Sequence, residues 1–151
     1  MAELIYRKLS LEDVGSFIEL RIKQLLEEGA EETCDLRPSL HSYYERHLSD
    51  GTFVSWLALD GSDIVATSGL SIVEKPPYFG CPTGRIGLIS SMYTKPAYRR
   101  QGIARELLTR LMDDARSKGC GTLQITASDM GVHLYRSCGF THNGNFMQLR
   151  L

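Results

Sequence analysis

The sequence predicts a mixed α/β or α+β protein built on one sheet. Three observations carry the prediction. Two long stretches repeat apolar residues at helical spacing, Leu11–Glu28 and Gly102–Lys118. Several short β-rich runs lie between and after them, bounded by Gly, Pro, Asn and Asp. The two kinds of segment are intermixed, in the order β-α-α-β-β-β-α-β-α-β-β, which fits helices packed on a shared sheet. At 151 residues, with 42% hydrophobic and 23% charged, the chain suits a single domain over 1–151 with a core of ordinary size.

Each element has a local reason. Leu4–Leu9 is a short first strand. Ser10 opens the next helix, with Asp13 in the acidic position of a capping box. Val14, Phe17, Ile18, Ile22, Leu25 and Leu26 form that helix's apolar stripe, and Gly29 stops it. Pro38 fits the first turn of a second helix reaching Leu48. Thr52–Leu59 and Ile64–Val73 are β-runs joined by Asp60-Gly61-Ser62-Asp63, a hairpin signal. A Pro- and Gly-rich loop, Pro76–Gly84, leads to a longer strand, Arg85–Thr94. Ile103, Leu107, Leu108, Leu111, Met112 and Ala115 stripe the clearest helix, and Lys118-Gly119 suits its C-terminus. Thr122–Ala127 alternates as a strand, and Val132–Cys138 is a short helix ending at Gly139. The tail, Phe140–Leu151, contains two short β-like runs around Asn143-Gly144.

Charge and cysteines narrow the function classes. A net charge of −1 disfavours a broad nucleic-acid-binding face. No apolar run is long enough to cross a bilayer, and Glu3, Arg7 and Lys8 interrupt any signal-like segment, so a cytoplasmic protein is expected. Cys34, Cys81, Cys120 and Cys138 have wide, irregular spacings, which read as reduced thiols rather than a zinc site; no metal is expected. His41 and His47 lie six apart on a polar helix and read as surface residues. His133 and Cys138, five apart on a short helix, do not face each other well enough for a nucleophile pair. Tyr43, Tyr44 and Trp56 fit either an acceptor pocket or plain packing.

The segment Met92-Tyr93-Thr94-Lys95-Pro96-Ala97-Tyr98-Arg99-Arg100-Gln101-Gly102-Ile103-Ala104 carries the chemistry. A strand ends, a loop holds Lys95, Arg99 and Arg100, and a helix opens at Gly102 with Arg105 just inside it. The first turn of a helix has free N–H groups and partial positive charge. A glycine there admits a ligand close to the backbone. This suits a phosphate or pyrophosphate, although a plain strand-to-helix turn with solvated arginines has the same composition. No G-K-[ST] and no G-x-G-x-x-G accompanies it.

Arg99-Arg100-Gln101-Gly102-Ile103-Ala104 resembles the Q/R-x-x-G-x-G/A motif of the GCN5-related N-acetyltransferase (GNAT) family. Leu134-Tyr135-Arg136-Ser137-Cys138-Gly139-Phe140 is similar to that family's L-Y-x-x-x-G-F block. The resemblance implies an acyl-CoA N-acyltransferase fold: a twisted, mixed, mostly antiparallel sheet with helices on both faces. It also implies an acyltransferase that moves the acetyl group of acetyl-CoA to an amine by direct attack in a ternary complex. Cofactor-binding positions would be Met92, Tyr93 and Thr94 against the pantetheine arm, and the backbone of Arg99, Arg100, Gln101, Gly102, Ile103, Ala104 and Arg105 against the pyrophosphate. The sheet would splay open beside Met92–Thr94. A backbone N–H near Tyr93 would stabilise the oxyanion, and Tyr135 would act as general acid to the departing thiolate. Taken without the resemblance, Tyr135 reads first as a core aromatic packed on the sheet.

Two departures matter. Ser128 stands where the family often has an Asn that holds the coenzyme arm. The Arg85–Thr94 strand carries Ser90 and Ser91 and no carboxylate, so the base is open. An alkylamine with a pKa of about 10.4 is only about 0.1% neutral near pH 7.4 and must lose a proton. Glu74, Asp129, or a water relayed by Ser90 or Ser91 are candidates, the water route being preferred. Glu27, Glu28, Glu31, Glu32 and Asp35 form an acidic stretch that either attracts a cationic acceptor or only flanks the next helix. The acceptor, a small molecule or a protein amine, is left open, as is a non-catalytic acyl-CoA-binding or sensor role. So is a homodimer through the C-terminal β-runs.

Overall fold

A computed structural model describes residues 3–151. In chain order the elements are β1 (Ile5–Lys8), α1 (Val14–Glu27), α2 (Arg37–Asp50), β2 (Phe53–Val54), β3 (Trp56–Asp60), β4 (Asp63–Glu74), β5 (Arg85–Thr94), α3 (Ile103–Ser117), β6 (Thr122–Ile125) and α4 (Val132–Ser137), with 3-10 turns at Leu11–Asp13 and Pro96–Tyr98. The strands form one sheet in the order β1-β3-β4-β5-β6, with β2 also on β4. All pairings are antiparallel except β5 with β6. The mixed, mostly antiparallel sheet expected from sequence is therefore present.

Helices cover both faces. On one, α1 and α2 pack Val14, Phe17, Ile18 and Tyr44 against Phe53, Leu57, Leu59 and Ile64. On the other, α3 and α4 pack Leu108, Leu111, Ala115 and Tyr135 against Val54, Leu70, Ile72 and Ile89. Ile103 and Leu107 extend that second face over Ala58, Val65 and Ala66. Covering both faces explains why β4 is a near-continuous buried run instead of an alternating one.

The hairpin signal is realised. Asp60 pairs with Asp63 around a two-residue turn, and Gly61 takes φ +62° there. Asp13 accepts hydrogen bonds from the Ser10 N–H and hydroxyl, both at 3.0 Å, and from Arg7 at 2.7 and 2.9 Å. Two expectations are corrected. Thr52–Leu59 is not one strand, because Ser55 interrupts it between β2 and β3. The tail strands are absent: residues 141–151 form no strand and make no backbone-to-backbone hydrogen bonds. Asn143-Gly144 does support a local turn, with the Asn145 N–H donating to Asn143 Oδ1 at 3.2 Å. The following residues find no strand to join within the chain, so local turn chemistry has nothing to extend.

Candidate active site

The site begins with a gap in the sheet. β6 pairs with β5 from Ile86↔Thr122 to Ile89↔Ile125 and then stops. β5 continues to Thr94 along β4. The last five residues of β5 therefore have an open edge on the β6 side. A bulge marks the transition. Ser90 pairs with Gly69 and Tyr93 with Thr67, so Ser91 and Met92 oppose Ser68 alone. Ser91 takes φ +57°, a left-handed conformation that costs a non-glycine residue energy. Its carbonyl accepts from Thr67 Oγ1 at 2.7 Å. The bulge re-aims the backbone of Met92–Thr94, the segment expected to meet an acyl-pantetheine arm.

α1 closes one side of this opening. Gln24 is buried, and its Nε2 donates to the Met92 carbonyl at 3.3 Å and to Glu28 Oε1 at 3.2 Å. Its Oε1 accepts from Arg21 at 3.1 Å. One amide thus ties a helix end, an acidic side chain and the end of β5 together. Glu27 accepts from the Tyr93 hydroxyl at 3.0 Å, and Arg99 lies 3.4 Å from its other oxygen. Burial and the hydrogen bond to Glu27 both push the Tyr93 phenol above its ordinary pKa.

The N-terminus of α3 closes another side. Gly102 has φ +81°, and a Cβ built there would meet nothing within 4 Å. The first helical bond is Glu106 N–H to the Gly102 carbonyl at 3.1 Å. Among the described residues, the N–H groups of Ile103, Ala104 and Arg105 have no acceptor, so they offer an open donor cradle. Buried Ile103 anchors this turn to the core. The cations divide their work. Arg99 donates to the Thr94 carbonyl at 2.8 Å and stacks on Tyr93, so it shapes the loop. Arg105 donates to Ser137 Oγ at 2.7 Å and links α3 to α4. Lys95 pairs with Asp63 at 3.2 Å. Arg100 is exposed, at φ +62°, and forms no ion pair among the described residues.

α4 supplies the third side. Tyr135 is buried in the same apolar cluster that Met92 packs on, and it stacks edge-on against Phe140 at 5.8 Å. Burial, then the nearby Glu28 charge, pushes its phenol up to about 12. Its hydroxyl has no hydrogen-bond partner among the described residues. Gly131 makes room for the ring: a Cβ there would sit 2.7 Å from Tyr135 Cε2. Ser128 turns back on its own chain, receiving the Gly131 N–H on its hydroxyl at 3.3 Å and on its carbonyl at 3.0 Å. It helps start α4.

An open strand edge, a helix N-terminus and a tyrosine thus surround one gap. Comparison with known proteins shows the family: residues 19–140 match the "Acetyltransferase (GNAT) family". The chain belongs to the GNAT family. GNAT relatives include the N-alpha-acetyltransferase RimI of Mycobacterium tuberculosis, 36% identical over 88 residues, which are 58% of this chain and 51% of that protein. Another is glucosamine 6-phosphate N-acetyltransferase 1 of Oryza sativa subsp. japonica, 28% identical over 85 residues, 56% of this chain and 50% of that protein. The matched regions span about half the length of these relatives. The crystal structure of a predicted acetyltransferase with acetyl-CoA from Clostridium acetobutylicum superposes with a TM-score of 0.94 at 31% identity, over 98% of this chain and 96% of that one.

Within this GNAT scaffold the other singled-out residues fall as follows. Glu74 pairs with Arg85 at 3.0 Å, at the end of the β4–β5 ladder away from Met92, so it is not at the gap. Asp129 is exposed in the turn before α4. Glu31 and Glu32 rim an apolar cleft lined by Ile22, Leu25 and Leu26. Those residues lie on the flank of α1 away from Gln24 and Glu28, so the cleft is separate from the gap. Tyr43, Tyr44 and Phe17 form an aromatic cluster under α2, with the Tyr44 hydroxyl reaching toward Ser91 of the bulge, and Trp56 donates to Asp114 at 2.7 Å. His41 pairs with Glu45, and His47 bonds Thr52. Cys138 Sγ lies 3.6 Å from Arg105. Among the described residues no group of side chains is arranged to hold a metal, and no helix is long and apolar enough to cross a membrane.

Gln24 and the Glu28 contact escaped the sequence reading. A signal exists. The sheet-facing register of α1 runs Val14, Phe17, Arg21, Gln24, Glu28 and turns polar in its second half. A polar residue in a core register marks a place where a helix faces something other than core.

Proposed function

We propose that the protein transfers the acetyl group of acetyl-CoA to a primary amine of a cationic acceptor, by direct attack in a ternary complex. The observation that carries this reading is the unpaired edge of Met92–Thr94 beside the free N–H groups of Ile103–Arg105. An acyl-pantetheine arm pairs with the strand edge like an added strand, and the pyrophosphate rests on the helix N-terminus. Arg100, exposed and in no ion pair among the described residues, supplies positive charge there.

The amine nitrogen attacks the thioester carbon, the C–S bond breaks, and the nitrogen loses one proton. A backbone N–H of the bulged Met92–Tyr93 segment stabilises the developing oxyanion. Tyr135 meets the thiolate. With its phenol near 12 against about 8.5 for a free thiol, it acts as a hydrogen-bond donor that stays protonated, rather than giving its proton up fully. Glu28, held by Gln24, receives the amine proton through a water. This answers the missing β5 carboxylate: the base comes from α1. Glu27 and Glu28 together favour a cationic acceptor, whose class is otherwise open among small-molecule and protein amines.

Titrating acetyl-CoA into the protein, beside CoA and ADP, tests the reading. Micromolar binding, about −8 kcal/mol, that Gly102→Glu abolishes is the expected outcome. An amine panel should then give turnover that Glu28→Gln lowers by roughly 10²-fold, with acetyl-CoA affinity kept. Failure to bind acetyl-CoA refutes the proposal. Binding without turnover on any amine points to the acyl-CoA-binding or sensor role instead.

A further inference from the structure

Resting on the acetyl-transfer reading above, we infer that Thr67 is a positioning residue for the transfer: its hydroxyl grips the Ser91 carbonyl and so aims the Met92 N–H at the thioester oxygen. Packing alone gives no reason for the hydroxyl. Thr67 lies in the buried run of β4, 3% exposed, between Ala66 and Ser68. A valine has much the same shape and an equal strand preference, and a buried hydroxyl costs free energy unless it is bonded. Neighbouring Ser68 commits its hydroxyl to β3, accepting from the Trp56 N–H at 3.0 Å and donating to the Trp56 carbonyl at 2.8 Å. Thr67 instead donates to the Ser91 carbonyl at 2.7 Å, a bond buried at both ends.

That bond fixes a direction. Every peptide among the described residues is trans, and in a trans peptide the C=O and N–H point opposite ways. The Ser91 carbonyl points to β4. The Met92 N–H of the same peptide therefore points away from β4, to the side where β6 has already ended opposite Ile89. No described strand lies there to receive it, and that side is the gap. Ser91 itself is at φ +57°, a conformation that a serine keeps only when its surroundings over-determine it. Thr67 holds its carbonyl, and the buried Tyr44 hydroxyl reaches toward the same residue. On the far side of Met92, Gln24 donates to the next carbonyl at 3.3 Å. Met92 thus sits between two peptides, each gripped by a side chain from another element.

Preorganisation gives this grip its chemical meaning. When the amine attacks, negative charge grows on the thioester oxygen, and a donor already aimed at it needs no reorganisation at that moment. Without the Thr67 bond the strained peptide is free to rotate, and its N–H leaves the target. Such a misaim slows the chemical step. Coenzyme binding rests on the α3 N-terminus and the rest of the strand edge, so it is spared. A hydroxyl that merely satisfied a carbonyl would show in stability alone.

Infrared difference spectra of bound acetyl-CoA, isotope-labelled at the thioester carbonyl, test the assignment without an acceptor, because a hydrogen bond to that oxygen lowers the C=O stretching frequency. Thr67→Val should move the band to higher frequency, leave acetyl-CoA affinity unchanged, and lower kcat on an active amine by roughly 10–10²-fold. Thr67→Ser keeps the hydroxyl and should restore the band and most of kcat. Thr67→Ala, a second hydroxyl-free variant for the case that valine disturbs folding, should shift the band the same way. A carbonyl band unchanged in the hydroxyl-free variants overturns the inference. So does a Thr67→Ser variant that behaves like Thr67→Val, since the effect then belongs to packing. Intact protein that binds no acetyl-CoA refutes the acetyl-transfer reading and this inference with it; binding and turnover indifferent to Thr67 refute this inference alone.

Discussion

At the scale of single residues, the site rests on side chains whose surroundings hold them in one protonation state or one place. Tyr135 is the clearest. With its phenol raised to about 12 by burial and the Glu28 charge, it stays protonated through the physiological range. Its titration contributes nothing to the pH dependence of turnover until the solution approaches that value. If Tyr135 is the donor to the thiolate proposed above, Tyr135→Phe should lower kcat by roughly 10–10²-fold. Acetyl-CoA affinity and thermal stability should hold, since the hydroxyl has no protein partner to lose; single-turnover rates and a melting curve check both. The Leu134–Phe140 block singled out Tyr135 in the sequence, and its burial beside Met92 is what the structure adds. Gln24 was not readable in the same way. Its role depends on which carbonyl lies 3.3 Å away, and only the polar break in the register of α1 hints at it.

At the scale of elements, local signals and tertiary pairing contributed unequally. Helix stripes, the Gly61-Ser62 turn and the Ser10–Asp13 capping box are short-range, and the sequence carried them. The bulge at Ser91 and the early end of β6 are not short-range. Ser90-Ser91 inside an apolar run has no bulge signature, and the length of β6 is set by where β5 turns away from it. The capping box gives a stability test. Arg7 holds the Asp13 carboxyl down to about 2, from an ordinary value of 3.8. A depressed carboxylate stabilises the fold above its unfolded pKa and loses that contribution as pH falls through the folded value. Asp13→Asn should therefore cost about 1–2 kcal/mol at pH 7, after allowance for the exposure of Arg7. Denaturant unfolding should show the difference shrinking below pH 4, largely lost as pH falls through about 2, and gone about one unit lower.

At the scale of the whole molecule, β5 and β6 must approach closely for the sheet to include the one parallel pair among the described residues. Gly87 permits it. A Cβ there would lie 2.5 Å from Leu123 Cδ2 and 2.8 Å from Leu70 Cδ1. Leu70 is fully buried and has little room to yield, so the partly buried Leu123 side chain must give. Gly87→Ala should cost about 1–3 kcal/mol, the usual range for overpacking, read as a lower denaturant midpoint with an unchanged slope. The element order and two-sided helix cover were legible because each helix and strand announces its apolar face. The fate of the tail was not, because a strand-like pattern states a preference and not the edge that satisfies it.

The bonds that join α1 to the gap span the chain. Gln24 meets Met92 across 68 positions, Tyr93 meets Glu27 across 66, and Arg99 meets Glu27 across 72. Contacts of such separation close late, since loop entropy must be overcome before they return any energy. A nascent chain with α1 through β4 complete has much of its core and nothing of the gap. The ability to hold an acyl donor is thus acquired only once β5 and α3 have been made and docked on α1, and partly folded chains have no half-formed version of it to expend on the wrong amine.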